Sequence, residues 1–203
     1  MMNSNSKKFR DGMFLAPSRR YGETYMEPII RKILGLSESP TGENDALDDN
    51  GEFGEIKCSK ILIELLKDPS LIESVILEND NTILKRLIKF ADCYDIKYDA
   101  NIQNIKRDHF EFLIYVLLFE DCIKIFKSYR GDISSKPGWS GKHGRFDVVG
   151  KSGQFSIKKQ NIKKHLKNNL IQTLTWDEVY EISKGIILNV NKKHNNTKQN
   201  KTK

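Results

Sequence analysis

The apolar run FLIYVLLF, residues 112–119, constrains the fold of this chain more than any other segment. Glu120 and Asp121 interrupt it, and apolar residues resume at once in the segment that starts with Cys122. Short apolar runs rich in β-branched and aromatic residues are typical of strands buried on both faces. The pattern therefore predicts a central β-hairpin, with strands near residues 110–118 and 122–128.

Helical patterns flank this hairpin on both sides. Apolar residues at helical spacing predict a helix over residues 22–36, which either kinks at Pro28 or begins at Glu27 with Pro28 in its first turn. Residues 60–91 look mostly helical, and a further helix is expected near residues 160–168. Thr175 and Glu178 form a capping box before a last helix near residues 176–184.

Short strands are expected between these helices, including a second hairpin around residues 150–153. The order of elements predicts an α/β or α+β domain, with one mixed β-sheet flanked by helices. We expect an irregular N-terminal segment at residues 1–19, a single domain over residues 20–188 and a disordered basic tail at residues 189–203.

Composition and cysteine spacing limit the setting in which the protein works. The longest apolar run is far too short to cross a bilayer, and no apolar segment follows the charged N-terminus, so we expect no membrane partner and no secretory signal. Cys58, Cys93 and Cys122 lie far apart, without metal-binding spacing. They favour neither a disulfide framework nor a zinc site, and they fit a reducing cytoplasm.

The positive charge is concentrated at one end of the chain. Residues 151–203 contain 12 lysines and 3 acidic residues, a net charge of +9, whereas the whole chain carries +7. The first 150 residues are thus slightly acidic. This distribution favours a polyanionic partner such as nucleic acid at the C-terminal end, although a solvated lysine-rich tail has the same composition.

The stretch NDALDDNGEFGEIKCSK, residues 44–60, carries the strongest chemical signal. Residues 48–51 read as a tight turn between two short strands, with Leu47 expected opposite Glu52. Asp45 would then lie diagonal to Glu55. Because side chains alternate along a strand, Glu55 and Lys57 share one face while the residue between them points into the core.

Two carboxylates beside an ammonium suit metal-assisted phosphodiester hydrolysis. Asp45, Glu55 and a free backbone carbonyl, that of Ile56, with waters, make a hard oxygen site of the kind that Mg²⁺ prefers. Lys57 would orient or deprotonate the attacking water and balance charge in the transition state. The alternative reading is a polar surface hairpin.

The arrangement Asp45…Glu55-Ile56-Lys57 resembles the PD-(D/E)xK nuclease superfamily, and most closely its type II restriction endonucleases. Asn44 stands where the proline of the superfamily's name would be. The segment YGETYMEPIIRKILG is similar to the N-terminal helix that often lends a glutamate to the site, and HFEFLIYVLLFEDCIKIFKS is similar to the core strand pair after the catalytic hairpin.

The resemblance implies a restriction-endonuclease-like core and a Mg²⁺-dependent homodimer that cleaves double-stranded DNA, leaving 5′-phosphates. It makes Asp45 and Glu55 metal ligands and Lys57 the catalytic lysine. A helix glutamate would join them, with Glu27 favoured over Glu23. A cognate DNA methyltransferase would be the genetic partner.

The basic residues of the C-terminal half are candidates for contacting DNA. The hairpin SGQFSIKK echoes NGEFGEIK but places Ile157 where Glu55 stands, so it cannot bind a metal in the same way. Base-reading or phosphate contacts are expected from residues around this hairpin: Lys136, Lys142, His143, Arg145, Lys158, Lys159 and Gln160.

Two other functions remain open at this point. A repair, nicking or junction-resolving nuclease would share the fold and the chemistry. A non-catalytic nucleic-acid-binding protein would use the lysine-rich end alone, and its hairpin carboxylates would be ordinary surface residues.

Overall fold

The computed structural model describes residues 2–17, 20–64, 81–106, 109–137, 139–140 and 153–186. They form a mixed α and β fold with helices against a mixed sheet, as predicted. The helices are α1 (Ser4–Leu15), α2 (Glu27–Leu34), α3 (Asn81–Leu84), α4 (Ile162–Asn169) and α5 (residues 176–186). The strands are β1 (Ala46–Leu47), β2 (Phe53–Lys60), β3 (Ala100–Ile105), β4 (Phe112–Leu118), β5 (Cys122–Tyr129), β6 (Trp139–Ser140), β7 (Gly153–Ile157) and β8 (Leu170–Thr175).

The main sheet has five strands in the order β1-β2-β4-β5-β8. Strand β2 runs parallel to β4, and the other neighbours are antiparallel. The predicted central hairpin is confirmed as β4 and β5. All seven residues of β4 are buried, because both faces of this strand are covered.

Each face of the main sheet carries its own core. Helices α1, α2 and α5 cover one face, where Phe14, Ile30 and Val179 pack on alternate residues of β4. The other face is covered by α4 and by a second, antiparallel sheet of order β3-β7-β6, so the prediction of a single sheet was wrong. Within the residues described, no helix has the length and apolar content needed to cross a membrane.

The N-terminal segment is a helix, which corrects the expectation of an irregular stretch at residues 1–19. Asn3 caps α1 by accepting a hydrogen bond from the Ser6 N–H. Met13 and Phe14 are buried at its C-terminal end. There Lys60 Nζ donates to the carbonyls of Phe14 (2.9 Å) and Ala16 (2.5 Å). Tertiary contacts, rather than a strong apolar stripe, stabilise this helix.

The chain around Pro28 combines the two predicted alternatives. A π-helix spans Arg20–Met26, and α2 begins immediately after it at Glu27, with Pro28 in its first turn. A proline is tolerated there because the first N–H groups of a helix have no partner within it. Gly35 ends α2 with a φ of 68°, a conformation that suits glycine.

Other predicted elements lie close to the observed ones. The capping box is confirmed, since Thr175 N donates to Glu178 Oε2 (2.7 Å) and Glu178 N to Thr175 Oγ1 (3.3 Å). The helical reading of residues 60–64 was wrong, because Leu62 and Ile63 form bridges with Leu87 and Tyr98. Residues 65–80, the tail at 189–203 and residues 141–152 of the second predicted hairpin lie outside the described residues. Strand β7 pairs with β3 and β6.

A buried histidine joins α4 to the main sheet. His165 is 1% exposed and stacks on Phe155, and its Nδ1 lies 3.0 Å from the Tyr115 hydroxyl. Its Nε2 has no hydrogen-bond partner within the described part of the chain. Burial, assisted by the charge of Lys136, lowers the pKa of His165 from 6.5 to about 4.

This histidine predicts a loss of stability in mild acid. Between pH 6.5 and 4 the unfolded chain takes up a proton at His165 that the folded chain refuses, so unfolding becomes easier as the pH falls. The loss amounts to at most about 3 kcal/mol. We expect His165→Gln to flatten the pH dependence of urea unfolding over this range.

His109→Gln is the matched control, because His109 lies outside this cluster. The control variant measures what the loss of a histidine outside the cluster does to the slope, and His165→Gln should flatten the slope more. An unchanged slope in His165→Gln would show that another group titrates.

Candidate functional site

The turn predicted at residues 48–51 is present between β1 and β2. Gly51 N donates to the carbonyl of Asp48 (3.1 Å). Gly51 has a φ of 80°, a conformation that glycine adopts without strain and other residues do not. Asp48 Oδ1 accepts hydrogen bonds from the N–H groups of Asn50 and Glu52, both at 2.9 Å. The Asp48 carboxylate therefore organises the whole turn.

The register of the hairpin differs from the predicted one by one residue. Leu47 pairs with Phe53 and Ala46 with Gly54, whereas Leu47 was expected opposite Glu52. The Asp48 carboxylate draws Glu52 into the turn, and this shifts the pairing. The pairing of β1 begins at Ala46, so Asp45 lies directly before the paired residues, and its carboxylate reaches the backbone of Ile56 next to Glu55.

Three further contacts hold Asp45 in place. Its N–H donates to the carbonyl of Gly54 (3.0 Å), and its own carbonyl accepts from Arg31 Nη1 on α2 (2.8 Å). Its Oδ2 accepts from the N–H of Ile56 (2.8 Å). The Asp45 carboxylate thus accepts the hydrogen bond from the Ile56 N–H that a carbonyl of a longer β1 would otherwise accept.

Glu55 and Lys57 share one face of β2, as the alternation predicted, and Ile56 is buried on the other. Lys57 Nζ forms an ion pair with Glu55 Oε1 and lies 3.3 Å from Asp45 Oδ2. The exposed fractions of the three side chains are 9% for Glu55, 22% for Asp45 and 23% for Lys57. The predicted triad is therefore assembled, with the ammonium between the two carboxylates.

Burial and charge shift the pKa values of this cluster. Burial raises the pKa of Glu55, and the nearby charge of Asp45 adds to the effect, while Lys57 opposes it. Burial would lower the pKa of Lys57, but its attraction to Glu55 and Asp45 outweighs burial and raises that pKa. Lys57 is consequently an ammonium in this arrangement.

The backbone of Ile56 faces the same edge as the Asp45 carboxylate. The N–H and C=O of one strand residue point to the same side, and the N–H of Ile56 points to Asp45. Strand β4 pairs along the opposite edge of β2, and β1 covers β2 only at Phe53 and Gly54. The carbonyl of Ile56 therefore points toward the uncovered edge, as its predicted role as a ligand requires.

A cleft of about 880 Å³ opens beside this edge. Glu55, Ile56 and Lys57 line one part of it, and Glu27 at the start of α2 lines another. Burial and then the charge of Glu27 raise the pKa of the Cys58 thiol, which places Glu27 near that residue. The structure thus brings Glu27 to the site, while the side chain of Glu23 is outside the described part.

The opposite wall of the cleft comes from β3 and was not predicted. It consists of polar side chains of one short segment: Asp99, Asn101, Gln103, Asn104 and Lys106. Ala100 and Ile102, separated by the polar Asn101, were a short alternating signal in the sequence. Nothing local indicated that this strand would lie beside β2.

The predicted DNA-contacting residues that the structure describes do not line the cleft. Lys136 Nζ donates to Asn169 Oδ1 (2.9 Å), and burial lowers its pKa. Lys158 forms an ion pair with Asp99 (3.3 Å), which puts it at the rim, and Lys159 Nζ donates to the carbonyl of Asp95 (3.3 Å). Gln160 is exposed. Lys142, His143 and Arg145 lie outside the described residues, and their roles stay predictions.

The donor set limits which cations the site could hold. No group of three or more His, Cys, Asp or Glu side chains suited to a metal occurs in the described parts of the chain. A cation here would rely on two carboxylates, one backbone carbonyl and water. Mg²⁺ tolerates such a set, since it keeps several of its waters and uses one or two carboxylates.

The chain was compared with protein families, curated proteins and solved structures. No protein-family model matches the chain, and neither a curated protein nor a solved structure shows significant similarity to it.

A close contact at Gly54 predicts which substitution would disrupt the pairing of β2 with β4. A Cβ atom at this position would overlap the ring of Phe112 on β4. We expect Gly54→Ala to lower the free energy of unfolding by roughly 1–3 kcal/mol, because the strands must separate to make room. Urea unfolding measures this change.

Two variants make the interpretation specific. Gly131→Ala introduces a Cβ with nothing within 4 Å and should be close to neutral. The double variant Gly54→Ala/Phe112→Leu should recover part of the loss, since the smaller side chain relieves the overlap. An undisturbed Gly54→Ala protein would contradict the described packing of β2 on β4.

Proposed function

We propose that this protein is a Mg²⁺-dependent endonuclease that hydrolyses phosphodiester bonds in double-stranded DNA, of the type II restriction kind within the PD-(D/E)xK superfamily. One observation carries the proposal: Asp45, Glu55 and Lys57 converge at an uncovered strand edge that borders a cleft. An ordinary surface hairpin would leave such charges solvated and apart, whereas these three are largely buried together.

The residues of the edge fit a hydrated Mg²⁺ ion. Glu55 and the carbonyl of Ile56 border the cleft, and in the described part of the chain both contacts of the Asp45 carboxylate use Oδ2. Asp45 Oδ1 would then be the oxygen available to hold a cation. When bound, Mg²⁺ polarises the scissile phosphate and offsets charge on the leaving oxygen.

The chain's own residues supply the other requirements of hydrolysis. Lys57 carries a positive charge next to where the phosphate would sit, and stabilises the charge that builds up as water adds to phosphorus. Its ammonium form favours this role over proton abstraction. Glu27 lines the same cleft, where its carboxylate would hold a water molecule for the reaction.

The fold is compatible with a restriction-endonuclease-like core. The helix α2 precedes the hairpin that carries the acidic residues, and its Arg31 fixes the backbone of Asp45. The second hairpin strand continues into a mixed sheet through parallel pairing with β4. We extend the proposal to a homodimer with a cognate DNA methyltransferase as its genetic partner.

Lys57→Ala tests the chemistry of the site. We expect a loss of about 10²–10³-fold in the rate of plasmid cleavage with Mg²⁺, because one preorganised positive charge is removed. Lys184→Ala is the matched control, since it removes an ammonium paired with Glu181 on the exposed face of α5. The control should cleave like wild type, with circular dichroism verifying that both variants fold.

The pattern of products separates the alternatives. Discrete fragments indicate a restriction enzyme, and a preference for branched or nicked DNA indicates a repair or junction-resolving nuclease. Salt-dependent binding without any cleavage by wild type would indicate a non-catalytic binding protein. Cleavage that persists unchanged in Lys57→Ala would refute the assigned site.

Glu55→Gln tests the cation directly. Replacing one of two carboxylates should weaken Mg²⁺ binding, measured by titration calorimetry, because an amide oxygen carries no full charge. Glu181→Gln, on the exposed face of α5, should leave the binding unchanged. Equal Mg²⁺ affinity in wild type and Glu55→Gln would place the cation elsewhere.

A further inference from the structure

The wall of the cleft opposite Glu55 departs from normal strand alternation. Ala100, Ile102 and Ile105 of β3 are buried in the core, which leaves Gln103 and Asn104 as two consecutive exposed residues. In a regular strand one of these two side chains would point into the core. Both instead line the cleft.

A β-bulge produces this arrangement. Ile102 pairs with Phe155 and Ile105 with Gly153, so that Gln103 and Asn104 together oppose the single residue Gln154 of β7. Asn104 has a φ of 58°, a left-handed conformation that asparagine tolerates better than most residues. Bulges of this type re-aim side chains and occur often beside active sites.

Two more groups complete the wall. Asn101 Oδ1 is buried and has no hydrogen-bond partner among the residues that the structure describes, although its residue borders the cleft. Lys106, at the end of β3, is exposed, and its charge reaches Glu55 across the cleft. The wall therefore offers the exposed amides of Gln103 and Asn104 and one ammonium to whatever occupies the space next to Lys57, while Asp99 is paired with Lys158.

We propose that this β3 wall, formed by Asn101, Gln103, Asn104 and Lys106, holds the nucleic-acid strand whose phosphate is cleaved at the Asp45 and Glu55 edge. Gln103 and Asn104 contact base edges, and Lys106 contacts a phosphate neighbouring the scissile one. The inference rests on the proposed nuclease function, which it extends to the recognition of substrate.

The chemistry of the wall matches this ligand. Amide side chains pair with base edges, and with adenine in two-point fashion, because they offer a donor and an acceptor side by side. A lysine binds phosphate as a point charge. The wall thus places amides that can read bases beside a lysine that can bind the backbone, and it lines the same cleft of about 880 Å³ as Glu55 and Lys57.

Three variants remove individual side-chain groups of the wall and leave the backbone conformation of β3 unchanged. Gln103→Ala removes one amide. Asn104→Gly removes the other and keeps the left-handed φ without strain, which Asn104→Ala would not. Lys106→Gln removes the charge. The matched controls are Gln172→Ala on β8 and Lys184→Gln on α5, both away from the cleft lining.

Binding is measured first, without cleavage. Fluorescence anisotropy with a labelled DNA duplex in EDTA, over a series of KCl concentrations, gives the affinity and its salt dependence. We expect Lys106→Gln to weaken binding and to reduce the slope of log K against log salt by about 1. Lys184→Gln should match wild type.

Specificity is measured next, by mapping the cut ends on a sequenced plasmid with Mg²⁺. We expect Gln103→Ala and Asn104→Gly to relax the preference at one or two base positions by about tenfold, the effect of losing one good base contact. Gln172→Ala should cut with the wild-type pattern. Thermal unfolding verifies that all variants fold.

The outcomes distinguish the two proposals. If wild type cleaves and the β3 variants bind and cut like it, the proposed role of the wall is refuted and the proposed nuclease function is retained. If wild type binds without cutting and the β3 variants bind more weakly, the wall is supported and the proposed chemistry fails. If wild type neither binds nor cuts DNA, both are overturned.

Discussion

Strand β2 is paired along its length on one edge only, and the candidate site depends on this asymmetry. On the inner edge, Gly54–Lys60 pair with β4 without a break. On the outer edge, β1 begins only at Ala46, opposite Gly54, and the next backbone donor of β2, that of Ile56, is taken by the Asp45 carboxylate. A longer β1 would have satisfied the backbone of Ile56 and buried its carbonyl in a ladder. The short strand leaves that carbonyl at the border of the cleft.

The electrostatics of the edge follow from this geometry. Burial disfavours the charge on Glu55 and raises its pKa, and the nearby charge of Asp45 adds to the effect. Lys57 compensates by lying between them, which raises its own pKa. Removing one member of such a group leaves the others unpaired, so the triad acts as a unit. A cation that approached the carboxylates would compete with Lys57 for them, which links occupancy of the proposed metal site to the position of the lysine.

Local signals in the sequence were sufficient for the central hairpin, for the turn after β1 and for the shared face of Glu55 and Lys57. Apolar runs predicted β4 and β5, turn residues predicted the turn at Asp48, and strand alternation placed Glu55 and Lys57 on one face. The register was missed by one residue because the Asp48 side chain bonds the N–H of Glu52, a contact that no pattern of residue types reveals. Helix α1 was missed because its stability comes from Met13 and Phe14 packing on distant elements.

The position of β3 beside β2 could not be predicted from sequence, because it depends on contacts between residues that are distant along the chain. A parallel pair such as β2 and β4 cannot be joined by a tight turn and requires a crossover connection. In this chain the crossover extends over residues 61–111 and includes β3, whose apolar face joins the core beneath the second sheet. Its polar face must then look outward, and the cleft beside β2 lies on that side. The same parallel pairing that supports the Glu55 strand therefore brings a second polar segment to the opposite side of the cleft. The bulge at Gln103 and Asn104 increases the number of polar side chains that reach it.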